Sequence, residues 1–355
     1  MPFAVPSLLP KTADKSGWPW SGQLPVMYPC TTSLPKISII TPSFNQGIYL
    51  EETIQSIVAQ NYPNYELIII DAGSTDNTLE VIHKYEPWIT YWVSEKDRGQ
   101  SHAISKGLDQ ATGDIINWLN SDDLLAPGAF YALAEEFDLN RYDVLCGYCD
   151  YFLEDLNHLD KRNERMGVFG TVGDTLLKCH INQPSTFFKA SVIKELNIDE
   201  QFHYTMDVDL WYRYLLRAGH NRIQLSDKLL TYFRLHGTSK SVAEHTRFQE
   251  DLHKVFYNVM YSLNQPASLM HYMSLKIAHF ERFVPKRYKV GIPEGAINIF
   301  IRTYAWQALC YYNQIRNYQS AYQCLEIARR HGKTLDIDLL RQIIKLSLLS
   351  RKVLK

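Results

Sequence analysis

The chain has 355 residues, 46% of them hydrophobic and 21% charged, with a formal net charge of −1. That length suggests about two domains, the composition excludes a disordered chain, and the balance of charge gives nucleic acid no bulk electrostatic pull. Six cysteines form no dense framework, no apolar run approaches the roughly 20 residues of a membrane span, and no signal peptide precedes them. A reducing cytoplasm is the expected setting.

Residues 1–34 are rich in proline and contain Trp18-Pro19-Trp20. They read as an extended arm whose tryptophans pack on the main body. Regular signals begin at Lys36. Ile37 to Ile40 is a short apolar strand, Thr41 to Gly47 a turn, and Leu50 to Gln60 has helical spacing. Leu67 to Ile70 is a second buried strand ending in Asp71-Ala72-Gly73-Ser74-Thr75-Asp76, where Thr75 or Asp76 can cap a helix through Tyr85. Ile89 to Val93 is a third strand, and a helix from Ser101 to Gln110 follows the charged loop Glu95 to Gln100. Strands alternating with helices predict an α/β fold with a parallel, doubly wound sheet, whose polar loops gather on one edge where a nucleotide can bind.

The stretch Ile115 to Leu125, IINWLNSDDLL, opens as a buried strand and breaks into Asn120-Ser121-Asp122-Asp123. Two adjacent carboxylates at the end of a buried strand repel each other and are costly to desolvate; a divalent cation with a preference for oxygen ligands removes both costs. The competing reading is a turn in which one of the pair caps the helix that Pro127 helps start. Phosphate loops of the usual kind, GxGxxG or GxxxxGK[ST], are missing, so a bound diphosphate calls for a metal.

Asp143 to Cys149 reads as a strand carrying Cys146 and Cys149 at CxxC spacing, away from any helix start that would stabilise a thiolate. Residues 153–166 read as a charged surface loop, Ile181 to Lys189 as a strand and Val192 to Leu196 as a short helix. Met206 opens an amphipathic helix reaching Ala218-Gly219, and Ile223 to Leu225 and Leu229 to Leu235 read as two further strands. From about Ala243 the pattern is helical, with a hairpin of Tyr304 to Arg316 and Tyr318 to His331. Leu339 to Leu354 is amphipathic and basic. That pattern suits the inner face of an acidic membrane, and equally a packed or homo-oligomer-forming helix with a solvated face.

The segment KISIITPSFNQGIYLEETIQSIVAQNYPNYELIIIDAGSTDNT resembles the opening of the family 2 glycosyltransferases, which have the GT-A fold, a Rossmann-like nucleotide-diphospho-sugar transferase architecture. EKDRGQSHAISKGLDQATGDIINWLNSDDLLAPGA continues the resemblance in register, and QPSTFFK and MDVDLWYRYLLRAGH complete it, over roughly Pro35 to Ser241. The domain expectation is an arm over 1–34, a GT-A domain over 35–241 and a C-terminal α-helical region over 242–355. The resemblance implies transfer of a single sugar, with inversion, from a nucleotide-diphosphate sugar (a UDP-sugar first among the candidates) to a glycan or lipid-linked acceptor in surface polysaccharide or glycoconjugate synthesis. It also implies a Mn2+ or Mg2+ cofactor. Thr41, Pro42 and Phe44 then lie under the nucleotide, Asp71 meets the base, Asp122 the ribose and metal, Asp123 the metal and diphosphate, and Asp207 is the base that deprotonates the acceptor. Asp97 and Arg98 fall near the donor sugar, Gln183 near the acceptor or on backbone groups, and His236 near the metal. Four departures stand out: Ala72 replaces a second acid, Asn120 an Asp and His102 an Asp, and the QxxRW signature of processive synthases is absent. A catalytically silent nucleotide-sugar binding or scaffold protein is the rival reading.

Overall fold

The computed structural model describes residues 16–20, 34–237, 245–332 and 341. Among them β1 (Ile37–Ser43), β2 (Tyr65–Asp71), β3 (Tyr91–Ser94), β4 (Ile115–Trp118), β5 (Leu124–Leu125), β6 (Val144–Phe152), β7 (Leu159–Glu164), β8 (Thr186–Lys189) and β9 (Ile223–Arg234) form one sheet. Its order is β3-β2-β1-β4-β8-β6-β9-β5, with β7 beside β6. β3, β2, β1 and β4 are parallel. They are connected through α1 (Gly47–Val58), α2 (Thr78–Tyr85) and α3 (Gln100–Gln110), the crossovers that parallel neighbours require. Ile37, Ile39, Leu67 and Ile69 meet Leu50, Ile54 and Ile57 of α1 in the core. Gly107 brings α3 onto β1, where a Cβ would stand 2.3 Å from Ile40 Cγ2.

The expected parallel run is present and ends at β4. β8 runs antiparallel to β4, β6 antiparallel to β8, and β5 antiparallel to β9, while β9 is parallel to β6. A short apolar run buried on both faces reads the same in either direction, so the sequence carries no sign of the reversal. Part of the expected loop 153–166 is β7, paired antiparallel with β6. Its side chains are mostly exposed and show no apolar alternation to read. The expected strand from Ile181 is extended only at Thr186–Lys189, and the two expected strands of 223–235 are the single β9.

Two compact units share the chain. The sheet unit holds the described residues up to Met166, Ile181–Leu210 and residues 222–237, and includes α4 (Ala129–Glu136) and α6 (Ala190–Leu196). In it the Trp18 indole N–H donates to the Leu125 carbonyl at 2.8 Å, so that part of the arm does pack on the body. The helical unit takes Gly167–His180, Trp211–Asn221 and the described residues from His245 onward. It contains α5 (Val172–Lys178), α8 (His245–Ser262), α9 (Ala267–Ser274), and the expected hairpin as α10 (Asn298–Gln314) and α11 (Tyr318–Arg330). Helix α7 (Met206–Ala218) starts in the first unit and ends in the second. The amphipathic tail Leu339 to Leu354 lies outside the described residues, apart from Arg341.

Candidate active site

The loops at the carboxyl ends of β1 and β2 are stitched together. Asn45, at φ 52°, donates its backbone N–H to Ser74 Oγ at 2.8 Å, and its Oδ1 accepts from Thr75 N at 2.9 Å. Asp76 Oδ2 accepts from Gly47 N at 3.0 Å at the start of α1. Asp71 is fully buried and serves this loop. Its carboxylate accepts from Gly73 N (3.1 Å), Ser74 N (2.9 Å), Ser94 Oγ (2.6 Å) and the Ser74 hydroxyl. Three of the four donors meet Oδ2 and one meets Oδ1, so Asp71 anchors this loop while Oδ1 keeps an acceptor direction. Beside it Thr41, Pro42 and Ser43 are buried and Phe44 is 57% exposed. The Thr41 and Ser43 hydroxyls have no hydrogen-bond partner among the described residues.

The Asp122–Asp123 loop hangs from α1. Thr53 Oγ1 donates to Ser121 O (2.9 Å) and Asp123 O (2.8 Å), Ser56 Oγ accepts from Leu125 N (3.0 Å), and Gln60 Nε2 donates to Ala126 O (2.9 Å). Thr53 and Ser56 lie on one face of α1 and Gln60 follows just past its end, so a polar ladder satisfies backbone that has left the sheet. Neither aspartate caps α4, which starts behind Gly128 in the left-handed region without a side-chain cap. That closes the helix-cap reading of the pair.

From the opposite side comes Arg234, the last residue of β9 and only 4% exposed. Its backbone N–H donates to Asp123 Oδ1 (3.0 Å), its Nε to Asp122 O (3.0 Å), and its two terminal nitrogens to Glu154 O (3.1 Å) and Glu52 Oε2 (2.7 Å). The guanidinium lies over the Tyr49 and Phe152 rings, 5.0 and 4.4 Å from their centroids. Sequence reasoning gave Arg234 no role. The available signal was a lone arginine two residues before His236 at the end of an apolar strand.

Asp122 Oδ2 lies 2.8 Å from His236 Nε2, and the His236 ring packs on Tyr49 at 4.8 Å between centroids. Asp123 is fully buried, and its Oδ2 accepts from Asn120 Nδ2 at 3.2 Å. Burial, and then the Asp122 charge, push its carboxyl well above the usual carboxylate range. The Arg234 N–H, the Asn120 amide and the Arg234 charge offset only part of that. Asp122 thus stands next to Asp123 in sequence and against His236 in space, though among the described residues no three His, Cys, Asp or Glu side chains form a ready cation cluster.

The start of α3 links this loop to Asp207. Gln100 Nε2 donates to Asn120 Oδ1 (2.7 Å), and the next residue, Ser101, donates through Oγ to Phe202 O (2.5 Å), in the turn that leads into α7. Asp207 is half-buried in the first turn of α7. Burial lifts its carboxyl to about 6, against the opposing pull of the Val208 and Asp207 N–H groups. Asp209, two residues on, is fully buried, as their divergence around the helix requires.

The remaining predicted residues are less central. Asp97 Oδ1 accepts from Gly99 N (2.7 Å) and shapes the turn before α3. The Arg98 side chain is 67% exposed and pairs with Glu200 at 2.6 Å. Gln183 Nε2 donates to the Trp118 carbonyl at the end of β4 (2.6 Å), the backbone-satisfying alternative of the two expected for it. Cys146 and Cys149 are buried in β6 as free thiols, and burial pushes Cys146 up to about 12 and Cys149 higher still, which removes thiolate chemistry.

A Rossmann-like sheet with an Asp pair at a central strand end and a carboxylate opening a later helix is the organisation of GT-A glycosyltransferases. Residues 38–211 match the family profile described as Glycosyl transferase family 2, and this segment is a family 2 glycosyltransferase domain. An uncharacterized glycosyltransferase of Rickettsia typhi is 30% identical over 195 residues, covering 52% of this chain and 60% of its own length. The GalNAc(5)-diNAcBac-PP-undecaprenol beta-1,3-glucosyltransferase of Campylobacter jejuni is 29% identical over 186 residues, 50% of this chain and 59% of that protein. The chain therefore spans about 60% of the length of these relatives. Among solved structures, residues 1–349 of S. aureus TarS, crystallised with UDP-GlcNAc, share the fold at a TM-score of 0.52 and 19% identity, over 83% of this chain and 92% of that one.

Proposed function

We propose that the chain is an inverting glycosyltransferase that moves one sugar from a nucleotide-diphosphate donor, a UDP-sugar by preference, to a hydroxyl of a glycan or lipid-linked acceptor. The observation that carries this reading is Asp207. Its carboxyl is raised to about 6 and is tied, through one turn of α3, to the loop of Asp122 and Asp123. A base of that strength is ionised at neutral pH and still takes a proton from a hydroxyl in the transition state. With the acceptor activated on the face of the sugar opposite the leaving diphosphate, the product is inverted.

The donor set fits a divalent cation shared with the diphosphate. Asp122 Oδ2 and His236 Nε2 offer an oxygen and a nitrogen 2.8 Å apart, and the repulsion that raises Asp123 falls when a cation sits beside it. Bound Mn2+ or Mg2+ supplies the positive charge that stabilises the departing diphosphate. The chain's own part is to hold that loop rigid through Thr53 and Arg234. Asp71 Oδ1, which accepts from the Ser74 hydroxyl alone among the described residues, keeps an acceptor direction for an N–H of the nucleotide base. The named activity of the Campylobacter relative supports a lipid-linked acceptor, and the TarS complex is an analogy for a uridine diphosphate donor.

Calorimetric titration with UDP, GDP, TDP and CDP, each with and without Mn2+, tests this. One nucleotide should bind, more tightly with metal, and Asp123→Ala should lose the metal-dependent part. Asp207→Asn should keep donor binding and lose transfer. A folded chain that binds none of the four would instead be the silent scaffold.

A further inference from the structure

The helical unit carries a second feature that the transfer reaction does not use. Between Leu275 and Val290 the chain has five cations (Lys276, Arg282, Lys286, Arg287 and Lys289) against one carboxylate, Glu281, in a protein whose overall charge is −1. Apolar side chains stand exposed among them, Val284 at 67% and Leu275 at 50%. This is a built surface. Phe280 and Phe283 pack on Tyr257 of α8 at 5.0 and 5.9 Å between centroids. The backbone is pinned to α8 by Lys286 N to Asn258 Oδ1 (2.9 Å) and Tyr288 N to Ser262 Oγ (2.7 Å).

The same segment borders a cavity of about 190 Å³ within the helical unit. Its floor is Ile297, Ile301 and Ile327, with Val290, Arg330 and His331 also on its wall. Asn264, on the wall too, accepts from Arg287 at 2.6 Å, which joins the cavity to the cationic loop. The volume is below the roughly 300 Å³ of a site for a whole drug-sized ligand and matches a short run of hydrocarbon. A small cavity of mixed lining, with isoleucines beside Asn264, Arg330 and His331, next to several cations and exposed aliphatic side chains, is complementary to an anionic amphiphile at a water–lipid boundary.

We infer that Leu275–Val290 docks on an anionic lipid surface, with a lipid phosphate on its cations and the adjoining part of that lipid's chain in the cavity. This rests on the proposed transfer reaction only in making the acceptor membrane-borne. A tethered enzyme then meets a lipid-linked acceptor in two dimensions, without capturing it from solution.

Flotation of the full chain with phosphatidylcholine vesicles, with and without phosphatidylglycerol, reads the proposal. The chain should float only with the anionic vesicles, and less at high salt. Arg282→Glu with Lys289→Glu, at exposed positions, should lower the bound fraction roughly tenfold or more. Val284→Asp and Val290→Asp should weaken it, and Arg162→Glu, an exposed charge reversal in β7, should not. Each variant is checked by its melting temperature and by transfer to a water-soluble acceptor, both expected at wild-type values. Failure of the wild-type chain to float with anionic vesicles would overturn the proposal, and so would loop variants that float as the wild type does. Absence of transfer to the soluble acceptor in the wild type would instead sink the transferase reading and leave the vesicle result standing.

Discussion

Asp207, the proposed base, shows at the scale of one residue how the proposed function would oppose stability. Its folded carboxyl stands near 6, above the 3.8 of an unfolded aspartate, so the folded state holds the proton more tightly. The stability this contributes is fully present below about 3.8 and is lost as pH rises through 6. Asp207→Asn should therefore melt higher than wild type at pH 8, by on the order of 1–3 kcal/mol, with the gap closing towards pH 4.5. The rate of transfer should run the other way, rising through about pH 6 to a plateau. Equal melting temperatures of the two proteins at both pH values would rule out the raised carboxyl. Arg234 is the converse case, a charge that is buried and fully partnered. Arg234→Met leaves Glu52 and two carbonyls without their donor and should cost about 3–5 kcal/mol in urea unfolding, part of which the double change with Glu52→Met restores. The motifs single out Asp122, Asp123 and Asp207 as candidates. They could not locate Arg234, because its partners lie 80 to 182 residues away and two of them are backbone oxygens.

Among the elements, those up to β4 were legible, since each strand is a short apolar run and each helix a 3.6-residue pattern between turn residues. What holds the Asp pair was not legible. Thr53, Ser56 and Gln60 look like the polar side of an amphipathic helix, yet all three are buried and face the loop after β4. A polar stripe turned inward has the same period as one turned to water, and only the tertiary contact tells them apart. Thr53→Val keeps the shape and removes the donor from the Ser121 and Asp123 carbonyls. It should cost about 1–3 kcal/mol and loosen donor binding more than it lowers turnover, because it disturbs the loop and leaves Asp207 in place. Measured KM and kcat separate the two; a fall in kcat alone would contradict the loop's role as donor cradle. The reversal of direction beyond β4 and the exposed β7 escaped for a related reason, since partners decide both.

Taken as a molecule, the chain interleaves its two units, and the sheet unit cannot be cut out with a single break. Residues 167–180 and 211–221 precede the C-terminal helices in sequence but belong with them. Tyr212 is fully buried, stacks on Phe256 of α8 at 5.8 Å between ring centroids and donates its hydroxyl to the Leu176 carbonyl. The Leu216 carbonyl accepts from Gly291 N at 2.9 Å, and a Cβ at Gly291 would lie 2.3 Å from the Arg217 carbonyl oxygen, so backbone meets backbone there. A chain ended after Ala243 retains the matched family segment, including Asp207, and strips these partners from the second half of α7. Tyr212, Leu215 and Leu216, each without exposed surface in the full chain, would lose burial worth roughly 1.5–3 kcal/mol per side chain. The first half of α7 carries Asp207, the proposed base, so fraying would reach the proposed chemistry. The truncated chain should therefore elute as aggregate, bind an apolar dye and transfer no sugar, while the full chain elutes as a discrete species. A truncated chain that is monodisperse and active would mean that α7 holds its geometry without the helices it packs on, and that Asp207 is positioned by the sheet unit alone.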